Sequence, residues 1–536
     1  MQRIPRVGSS SATALAFAAS LVFLALWVAL NWLHFVDDAY IFFRYAHNLA
    51  AGDGYVLNPG HWVEGTTSVT WTLLLALVAT SGIPLEASTK VLCFACIIGC
   101  FILIADQSRR DNVPASLLLL GLVLLAANQA FVQSIMLGLE TGLYALLLLG
   151  LVIAVGRLQA PAYPLALGPL GLLLFLTRPD ALLLLGLLGL GLLCLGPEAR
   201  RPVLITLGIW LAGIALITLA RLLIFGDAIP NSARAKAALS ESLNNLPFLR
   251  ERLTGGGIYV RGWLTSIWPL GLPALFALVP LYRHRPLQAY TAVAIGGALV
   301  GVAMLNSGDW MPFYRLLSPF IPIMALLAIG GAGDLAYRWP IGQRAMFSLV
   351  PIAIAVWVAG ASLASSRGQG WFQAQRWMIP VCYDQLGQAL APQIGPATVF
   401  APEALGEIGY RLPQVQMLDF FGLTEPYIAR NGTMPLARYS YGRHHYEWTM
   451  RQQPDLFLFH SDVRNHIPWL NRWGYSTQYT TYELTGSAPT CSFTVGIRND
   501  HSGAWLSAIQ PRFQMRLLPT ADIPENTAVP WPFGLR

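Results

Sequence analysis

Residues 36–67 read VDDAYIFFRYAHNLAAGDGYVLNPGHWVEGTT and follow directly on an apolar run long enough to cross a lipid bilayer. Two adjacent carboxylates, Asp37 and Asp38, therefore lie where a first membrane helix ends. Paired negative charge is costly beside a membrane, so carboxylates placed there are often functional. We expect this pair to take part in chemistry.

The composition is that of a membrane protein. The 536 residues are 55% hydrophobic and 11% charged, whereas soluble domains carry about 25% charged residues. The net charge of +7 comes from single or paired basic residues between apolar runs, which do not form the basic face that nucleic-acid binding requires. The first apolar run has about 20 residues, more than the roughly 7–15 of a signal-peptide core, and predicts an uncleaved first helix.

Further apolar runs predict a polytopic α-helical membrane protein with about 11 transmembrane helices. The runs lie near residues 13–34, 86–105, 113–128, 141–156, 163–177, 181–196, 202–224, 263–281, 287–305, 312–333 and 345–363. The apolar segment 69–78 is short for a span and predicts a re-entrant or interfacial helix. With the N-terminus in the cytoplasm, every inner loop carries the expected basic residues: Arg3, Arg6, Arg109, Arg110, Arg157, Arg200, Arg201, Arg283, Arg285, Arg338 and Arg344.

This topology predicts two domains. Residues 1–365 form a transmembrane module, whose first outer loop, residues 35–85, contains interfacial helices. An odd number of spans places residues 366–536 outside, where ATVFAPEALGEIGYRL and PDLFLFHSD predict the strands and turns of an α/β or α+β domain. Such a location would permit a disulfide between Cys382 and Cys491.

The acidic pair has two interpretations. Residues 37–50 have helical spacing and end near the turn Gly52-Asp53-Gly54, so the pair either caps this helix or performs chemistry. One residue suffices for a cap. Paired carboxylates can bind a hard cation, act as a general base or attack a sugar carbon, and residue type does not choose among these. Glu64 and Glu140 are further outer carboxylates for which solvation or capping is the alternative.

Other polar side chains on the same predicted outer face are candidates for ligand binding. Arginine suits phosphate because its paired N–H donors match phosphate oxygens, and interfacial anchoring is the alternative. Asp309 and Trp310 are candidates for binding and stacking on a sugar, or Trp310 belongs to the interfacial belt. The candidate phosphate ligands are Arg44, Arg178, Arg234, Lys236 and Arg315, and the C-terminal region adds Asp419, Glu425, His444 and His445 as candidate ligand contacts.

Six segments carry a family resemblance in the same order along most of the chain. The chain resembles the mycobacterial-type terminal β-(1→2)-arabinofuranosyltransferases, which belong to the GT-C superfamily of membrane glycosyltransferases. The segments are DDAYIFFRYAHNLAAGDGYVLNPG, VEGTTS, LTRPDALLL, FGDAIPNSARAKA, SGDWMPFYRLLSP and LDFFGLTEPYIAR. Any single segment is a weak signal, and the series is specific.

The resemblance implies a GT-C fold and a function. D-arabinofuranose would pass from decaprenylphosphoryl-arabinose, a polyprenyl-phosphate donor, to a cell-envelope glycan such as arabinan, on the outer face of the plasma membrane. Asp37 would lie at the reacting centre, with Asp38 beside it for a metal or a donor hydroxyl. Glu140 would be the carboxylate that relatives place at an outer helix mouth, and a second candidate metal ligand.

The remaining assignments have alternatives that the sequence leaves open. Sugar or acceptor contacts would come from Glu64, Asp309, Trp310, Asp419, His444 and His445. No cofactor is required by the sequence, although a divalent cation such as Mg, Mn or Ca fits the acidic pair. The acceptor is a glycan or, as the alternative, a protein such as a pilin. A transporter or flippase is disfavoured because the helix centres carry Leu, Ala, Gly and Val rather than charge.

Overall fold

The computed structural model describes residues 10–30, 35–236, 245–311, 313–338, 346–365, 382–434, 442–460, 463–486, 491–521 and 523–524. The helices of these residues are α1 (Ser10–Leu30), α2 (Asp37–Ala51), α3 (Val69–Ala79), α4 (Leu85–Arg110), α5 (Ala115–Ala127), α6 (Gln129–Met136), α7 (Thr141–Arg157), α8 (Tyr163–Thr177), α9 (Ala181–Leu193), α10 (Arg200–Phe225), α11 (Asn231–Lys236), α12 (Leu246–His284), α13 (Pro286–Leu305), α14 (Ile321–Arg338), α15 (Met346–Ser365), α16 (Asp384–Leu390), α17 (Gly406–Arg411), α18 (Pro426–Asn431), α19 (Tyr446–Arg451), α20 (Ile467–Asn471), α21 (Tyr475–Gln478) and α22 (Ser502–Ile509). The strands are β1 (Val399–Pro402), β2 (Gln416–Met417), β3 (Leu456–Phe459), β4 (Tyr479–Thr485), β5 (Ser492–Arg498) and β6 (Gln514–Leu517).

The chain forms two compact units. Unit 1 contains residues 1–32, 89–217 and 243–368, and unit 2 contains residues 33–88, 218–242 and 369–536. This division differs from the predicted one at residue 365, because two segments of the N-terminal part belong with the C-terminal region. The difference matters for the candidate site, since the acidic pair and the C-terminal region lie in the same unit.

Each of the predicted apolar runs contains a helix. By length and composition, seven of the described helical segments can cross a membrane, and an eighth is added if α5 and α6 form one span bent by 54°. The bend falls at Asn128, whose side chain accepts a hydrogen bond from the Phe131 N–H and so begins a new helix. The chain is a polytopic helical membrane protein. The count of 11 spans stays a prediction, because α7, α9 and the apolar part of α15 are shorter. Helix α3, which was predicted to be re-entrant or interfacial, is likewise short.

Unit 2 is built on a mixed six-stranded sheet of order β2-β1-β3-β5-β4-β6. Strand β1 is parallel to β2 and β3, and the pairs β3/β5, β5/β4 and β4/β6 are antiparallel. All four side chains of β3 are buried, as a strand covered on both faces requires. The Cys382–Cys491 disulfide joins the segment before α16 to the start of β5, 109 residues apart in sequence.

Helix α2 begins at Asp37 and ends at Ala51, close to the predicted limits. Gly52 ends the helix with φ +91°, a conformation that glycine adopts without steric cost. Most of the helix is buried, including Phe43 and Tyr45, and it packs within unit 2 against α3 and α17. The predicted interfacial helix is therefore largely enclosed by protein.

Candidate active site

Asp37 is held by the backbone of a distant helix. Its Oδ2 accepts a hydrogen bond from the Gly406 N–H at 2.7 Å, and its Oδ1 accepts one from the Glu407 N–H at 2.9 Å. A Cβ at position 406 would lie 1.9 Å from the Asp37 carbonyl oxygen, so this approach requires glycine. The N-cap of α2 is Val36 and makes no side-chain bond, so Asp37 orients toward α17 instead of capping its own helix.

Burial raises the pKa of Asp37 toward neutral pH. Only 6% of the residue is exposed, and this desolvation raises the pKa of Asp37 to about 7, against the lowering effect of the two backbone N–H groups. Asp38 and Asp419 raise the pKa of Asp37 further. A carboxylate that titrates near neutral pH in a fixed orientation suits a general base or a nucleophile.

Asp38 is the more accessible member of the pair. Its carboxylate lies 3.6 Å from the Nζ of Lys236, and both side chains are partly exposed. Lys236 ends α11, which is anchored because Asn231 Nδ2 donates to the carbonyls of Gly422 and Leu423. Unit 2 thus places a lysine beside the acidic pair, and phosphate binding by Lys236 stays a prediction.

Arg44 was predicted to bind phosphate, and the structure assigns its donors elsewhere. The residue is 1% exposed. Its guanidinium donates to Asn58 Oδ1 and to backbone carbonyls of Leu57, Gly409, Pro413 and Val415. Burial lowers the pKa of Arg44 to about 10, which still leaves it charged at neutral pH. Arg44 therefore fastens α2 to the segment after α17, and the phosphate assignment is corrected.

Replacing Arg44 with methionine is expected to lower the free energy of unfolding by about 3 kcal/mol or more, because several buried carbonyls lose their donor. Arg44→Lys should recover only part of the loss, since an ammonium has three donors at one point. Thermal unfolding of the intact protein in detergent measures the change. Arg451→Met is the matched control, because that side chain is 73% exposed. Equal losses in the two methionine variants would contradict the fastening role.

Glu64, a predicted sugar ligand, forms a buried ion pair with Arg221. The Arg221 Nε donates to Glu64 Oε2 at 2.8 Å and to Oε1 at 3.1 Å, and both side chains are buried. Burial raises the pKa of Glu64, and the hydrogen bond from Arg221 opposes this. The sugar-binding assignment of Glu64 is corrected to a structural one. Arg221 was missed because it lies inside an apolar run of α10.

Arg234 was also a candidate phosphate ligand. It forms two hydrogen bonds to Asp227, of 3.0 and 2.5 Å, and Arg430 adds a third to the same carboxylate at 3.1 Å. Burial raises the pKa of Asp227, but these arginines outweigh burial and lower the pKa to about 2. The Arg234 guanidinium is thus already matched to a carboxylate.

Three C-terminal candidates serve the local fold. The buried Asp419 carboxylate accepts from the backbone N–H groups of Phe421 and Thr424, which closes the loop after β2. His444 Nδ1 bonds to the Phe420 carbonyl, and burial lowers the pKa of His444 to about 3, so its ring is neutral. His445 Nδ1 caps α19 by accepting from the Trp448 N–H. Asp419 is 1% exposed and is therefore not accessible to a sugar, while sugar contacts of His444 and His445 stay predictions.

Glu407 is a site residue that the sequence did not indicate. Its N–H holds Asp37, its side chain is fully buried, and burial raises its pKa well above the usual value. Arg411, one turn later, lies 3.4 Å away and lowers the pKa of Glu407. The segment GEIGYR gives no signal of this role, because the partner of its backbone is 370 residues away in sequence.

Unit 1 gathers a second cluster around Glu140. Arg178 Nη1 and Arg315 Nη1 lie 3.7 and 3.8 Å from Glu140 Oε1. Arg178 donates twice to Asp180, at 2.9 and 3.0 Å, and Arg315 donates once to Asp309 at 2.8 Å. Two predicted phosphate ligands therefore meet at the predicted outer helix mouth, each held by its own carboxylate.

These two arginines keep unused donors. Arg178 Nη1 is buried and makes no hydrogen bond with any described residue. Burial lowers the pKa of Arg178, but Asp180 and Glu140 outweigh it and raise the pKa above its usual value. Asp309 is occupied by Arg315 and by the Met311 N–H, while Trp310 beside it is half-buried. The cluster can offer N–H donors to an anion, and its sugar contacts stay predictions.

The candidate metal ligands have cationic neighbours. Asp38 faces Lys236, and Glu140 lies between two arginines, so each carboxylate already has positive charge beside it. Within the described ranges, no three His, Cys, Asp or Glu side chains are grouped to hold an ion. Asp38 and Glu140, each beside a basic side chain, therefore do not form a donor set that fits a divalent cation. The candidate catalytic and phosphate-binding roles are assigned to protein side chains.

Comparisons with known proteins agree with the resemblance drawn from the sequence. The terminal beta-(1->2)-arabinofuranosyltransferase of Mycobacterium tuberculosis is 29% identical over 390 residues, which are 62% of this chain and 59% of that protein. The chain thus matches about three-fifths of the length of this curated relative. A family model described as a domain of unknown function (DUF8728) matches residues 370–502.

Solved structures extend the comparison to the fold. The crystal structure of ArnT from Cupriavidus metallidurans bound to undecaprenyl phosphate superposes with a TM-score of 0.51 and 13% identity, covering 92% of this chain and 100% of that one. The mycobacterial arabinofuranosyltransferase AftD, in a cryo-EM structure of a mutant, gives a TM-score of 0.46 and 14% identity over 92% of this chain and 42% of that one. The likeness to ArnT shows a shared fold.

Proposed function

We propose that this chain is a membrane glycosyltransferase that transfers D-arabinofuranose from decaprenylphosphoryl-arabinose to a cell-envelope glycan such as arabinan. The curated relative, whose name states arabinofuranosyl transfer, supports the sugar. The ArnT of the same fold was solved with undecaprenyl phosphate, which supports a polyprenyl-phosphate donor. The observation that carries the proposal is the buried carboxylate of Asp37, oriented by two backbone N–H groups and titrating near pH 7.

Asp37 is proposed to act directly on the reacting sugar. In transfer, the bond from the anomeric carbon to the phosphate oxygen breaks, a bond to an acceptor oxygen forms, and polyprenyl phosphate leaves with the electron pair. As a general base, Asp37 accepts the acceptor hydroxyl proton and the configuration inverts. As a nucleophile, it first forms a glycosyl ester, and a second displacement retains the configuration. The anomeric configuration of the product, read by NMR, distinguishes the two.

Positive charge is proposed to bind the leaving phosphate. Arg178 and Arg315 have N–H donors that their carboxylate partners do not use, and such donors stabilise negative charge on a leaving group. Lys236 beside Asp38 is a further candidate. We propose that these groups, and the C-terminal region, face the outer side of the plasma membrane, as the distribution of arginines predicts.

The proposal is tested with purified protein in nanodiscs, supplied with decaprenylphosphoryl-arabinofuranose and a short arabinan. Mass spectrometry should show the arabinan gaining one pentose and the donor losing it. Transfer only to a pilin-type protein would replace the glycan acceptor, and transfer of a different sugar would replace the donor. Movement of intact donor across the bilayer with no covalent product would contradict a transferase and support a flippase.

The transfer rate is expected to depend on pH through Asp37. Below about pH 7 the carboxyl takes up a proton, so kcat should fall by about tenfold per pH unit. The effect of pH on folding stability through Asp37 has the opposite sign to its effect on the rate. The pKa of Asp37 rises from 3.8 to about 7 on folding, so its contribution to stability is largest in acid and declines as pH rises through this window. A rate that is flat from pH 5 to pH 8 would contradict the role of Asp37.

A further inference from the structure

Unit 2 carries a stacked aromatic pair on two short helices, of which Tyr427 is exposed and Trp448 is partly buried. The Tyr427 ring stacks on the Trp448 ring, with centroids 5.3 Å apart and planes at 15°. The His445 ring lies 5.4 Å from that of Tyr427, which is 43% exposed. Glu425 begins α18 by accepting the Tyr427 N–H. These four residues, Glu425, Tyr427, His445 and Trp448, are called the aromatic platform.

The platform presents polar atoms that the fold leaves unused. With the described part of the chain, no hydrogen bond is made by the Tyr427 hydroxyl, the Trp448 Nε1–H or the second carboxylate oxygen of Glu425. The Nδ1 of His445 accepts from the Trp448 N–H, so the neutral ring carries its proton on Nε2, which is likewise unused. A ligand that contacts the rings therefore meets three donors and one acceptor.

This combination matches the chemistry of a sugar. A pyranose or furanose ring has C–H groups on one face, which pack on an aromatic ring, and hydroxyls at its edge, which both donate and accept hydrogen bonds. Binding sites for such molecules combine aromatic surface with a few polar groups that fix orientation. A membrane interface also attracts Tyr and Trp, but above about pH 7 the ionised Glu425 carboxylate would repel an anionic headgroup.

We propose that the aromatic platform binds the acceptor glycan, with a sugar ring stacked on Tyr427 and its hydroxyls bonded to Glu425, His445 and Trp448. This inference rests on the proposed function and gives that function an acceptor subsite. The occupant is a neutral oligosaccharide with several furanose or pyranose rings.

Electrostatics connect the platform with the acidic pair. Asp419 is near enough to both residues to raise the pKa of Asp37 and that of Glu425, and the latter reaches about 7 mainly through burial.

The test measures binding of a short arabinan to the full-length protein in nanodiscs without donor, so that it does not depend on transfer. Tyr427→Ala should weaken binding by about tenfold or more, and Tyr427→Phe by about threefold, because it keeps the ring and loses the hydroxyl. Trp473→Ala is the control, since Trp473 is 46% exposed in the same unit and makes no ring contact with the platform. It should bind like the wild type.

Steady-state kinetics separate this inference from the proposed function. The platform variants should raise KM for the acceptor and leave KM for the donor unchanged. Wild-type transfer together with unchanged arabinan binding by Tyr427→Ala would overturn the platform and leave the transferase standing. Arabinan binding that is lost equally in Trp473→Ala would also overturn it. If the wild type binds arabinan through Tyr427 but transfers no sugar, the platform stands and the proposed function fails.

Discussion

Asp37→Asn is expected to lower the rate of sugar transfer by about 10³-fold or more, because the variant can neither accept a proton nor attack the anomeric carbon. The amide keeps the size of the side chain, and one of its atoms still accepts from the Gly406 or Glu407 N–H. The other then faces an N–H with its own N–H. That lost bond costs stability on the order of 1–3 kcal/mol, which the measurement has to separate from catalysis.

A matched control and a second variant make this separation. Asp53→Asn changes an exposed carboxylate in the turn after α2 and should leave the rate unchanged. Asp38→Asn removes the carboxylate that faces Lys236, at the more exposed position, and should lower the rate less than Asp37→Asn. Thermal unfolding of each variant in detergent measures the loss of stability, so that it can be separated from the loss of rate. Near-normal transfer by well-folded Asp37→Asn would remove Asp37 from the reacting centre.

Arg178→Lys is expected to weaken binding of polyprenyl phosphate and to lower transfer by about 10²-fold or more. Arg178 uses two donors for Asp180 and keeps Nη1 unused beside Glu140. A lysine cannot hold Asp180 and present a second nitrogen in the same plane. Arg315→Lys should act in the same direction, since only its Nε is bonded to Asp309.

Two further variants define what the arginines do. Arg110→Lys alters an exposed arginine paired with Asp106 and should bind the lipid phosphate normally. Glu140→Gln removes the negative charge between Arg178 and Arg315, so it should strengthen phosphate binding if those arginines are its ligands. Equilibrium binding of undecaprenyl phosphate to the protein in detergent measures both. Unchanged binding by Arg178→Lys and Arg315→Lys would assign the cluster to the fold alone.

Local pattern was enough where structure is local. The helical spacing of residues 37–50 and the glycine at 52 predicted α2 and its end, because i, i+4 contacts and a left-handed C-cap depend on neighbouring residues. The segments ATVFAPEALGEIGYRL and PDLFLFHSD contain β1 and β3, which were likewise predicted from the pattern of neighbouring residues. Predicting which helices span was harder, because α7 and α9 are apolar but short.

The candidate site shows where local pattern fails. Arg44 and Glu64 carry the residue types of a ligand site, yet each is satisfied inside the protein, by carbonyls at 409–415 and by Arg221. A guanidinium suits a phosphate oxygen and a backbone carbonyl equally well. Which of them it meets depends on contacts hundreds of residues apart, and no spacing in the sequence records those contacts.

The sequence by itself determined the class of protein, the position of the acidic pair after the first apolar run and the family it resembles, because hydropathy and motif order are properties of the linear chain. Only the tertiary structure decided what each polar side chain does. It bound Asp37 to the start of α17, enclosed Arg44, and left donors of Arg178 and of the aromatic platform unused. The physical reason is that a buried polar group must find a partner, and folding chooses it from the whole chain.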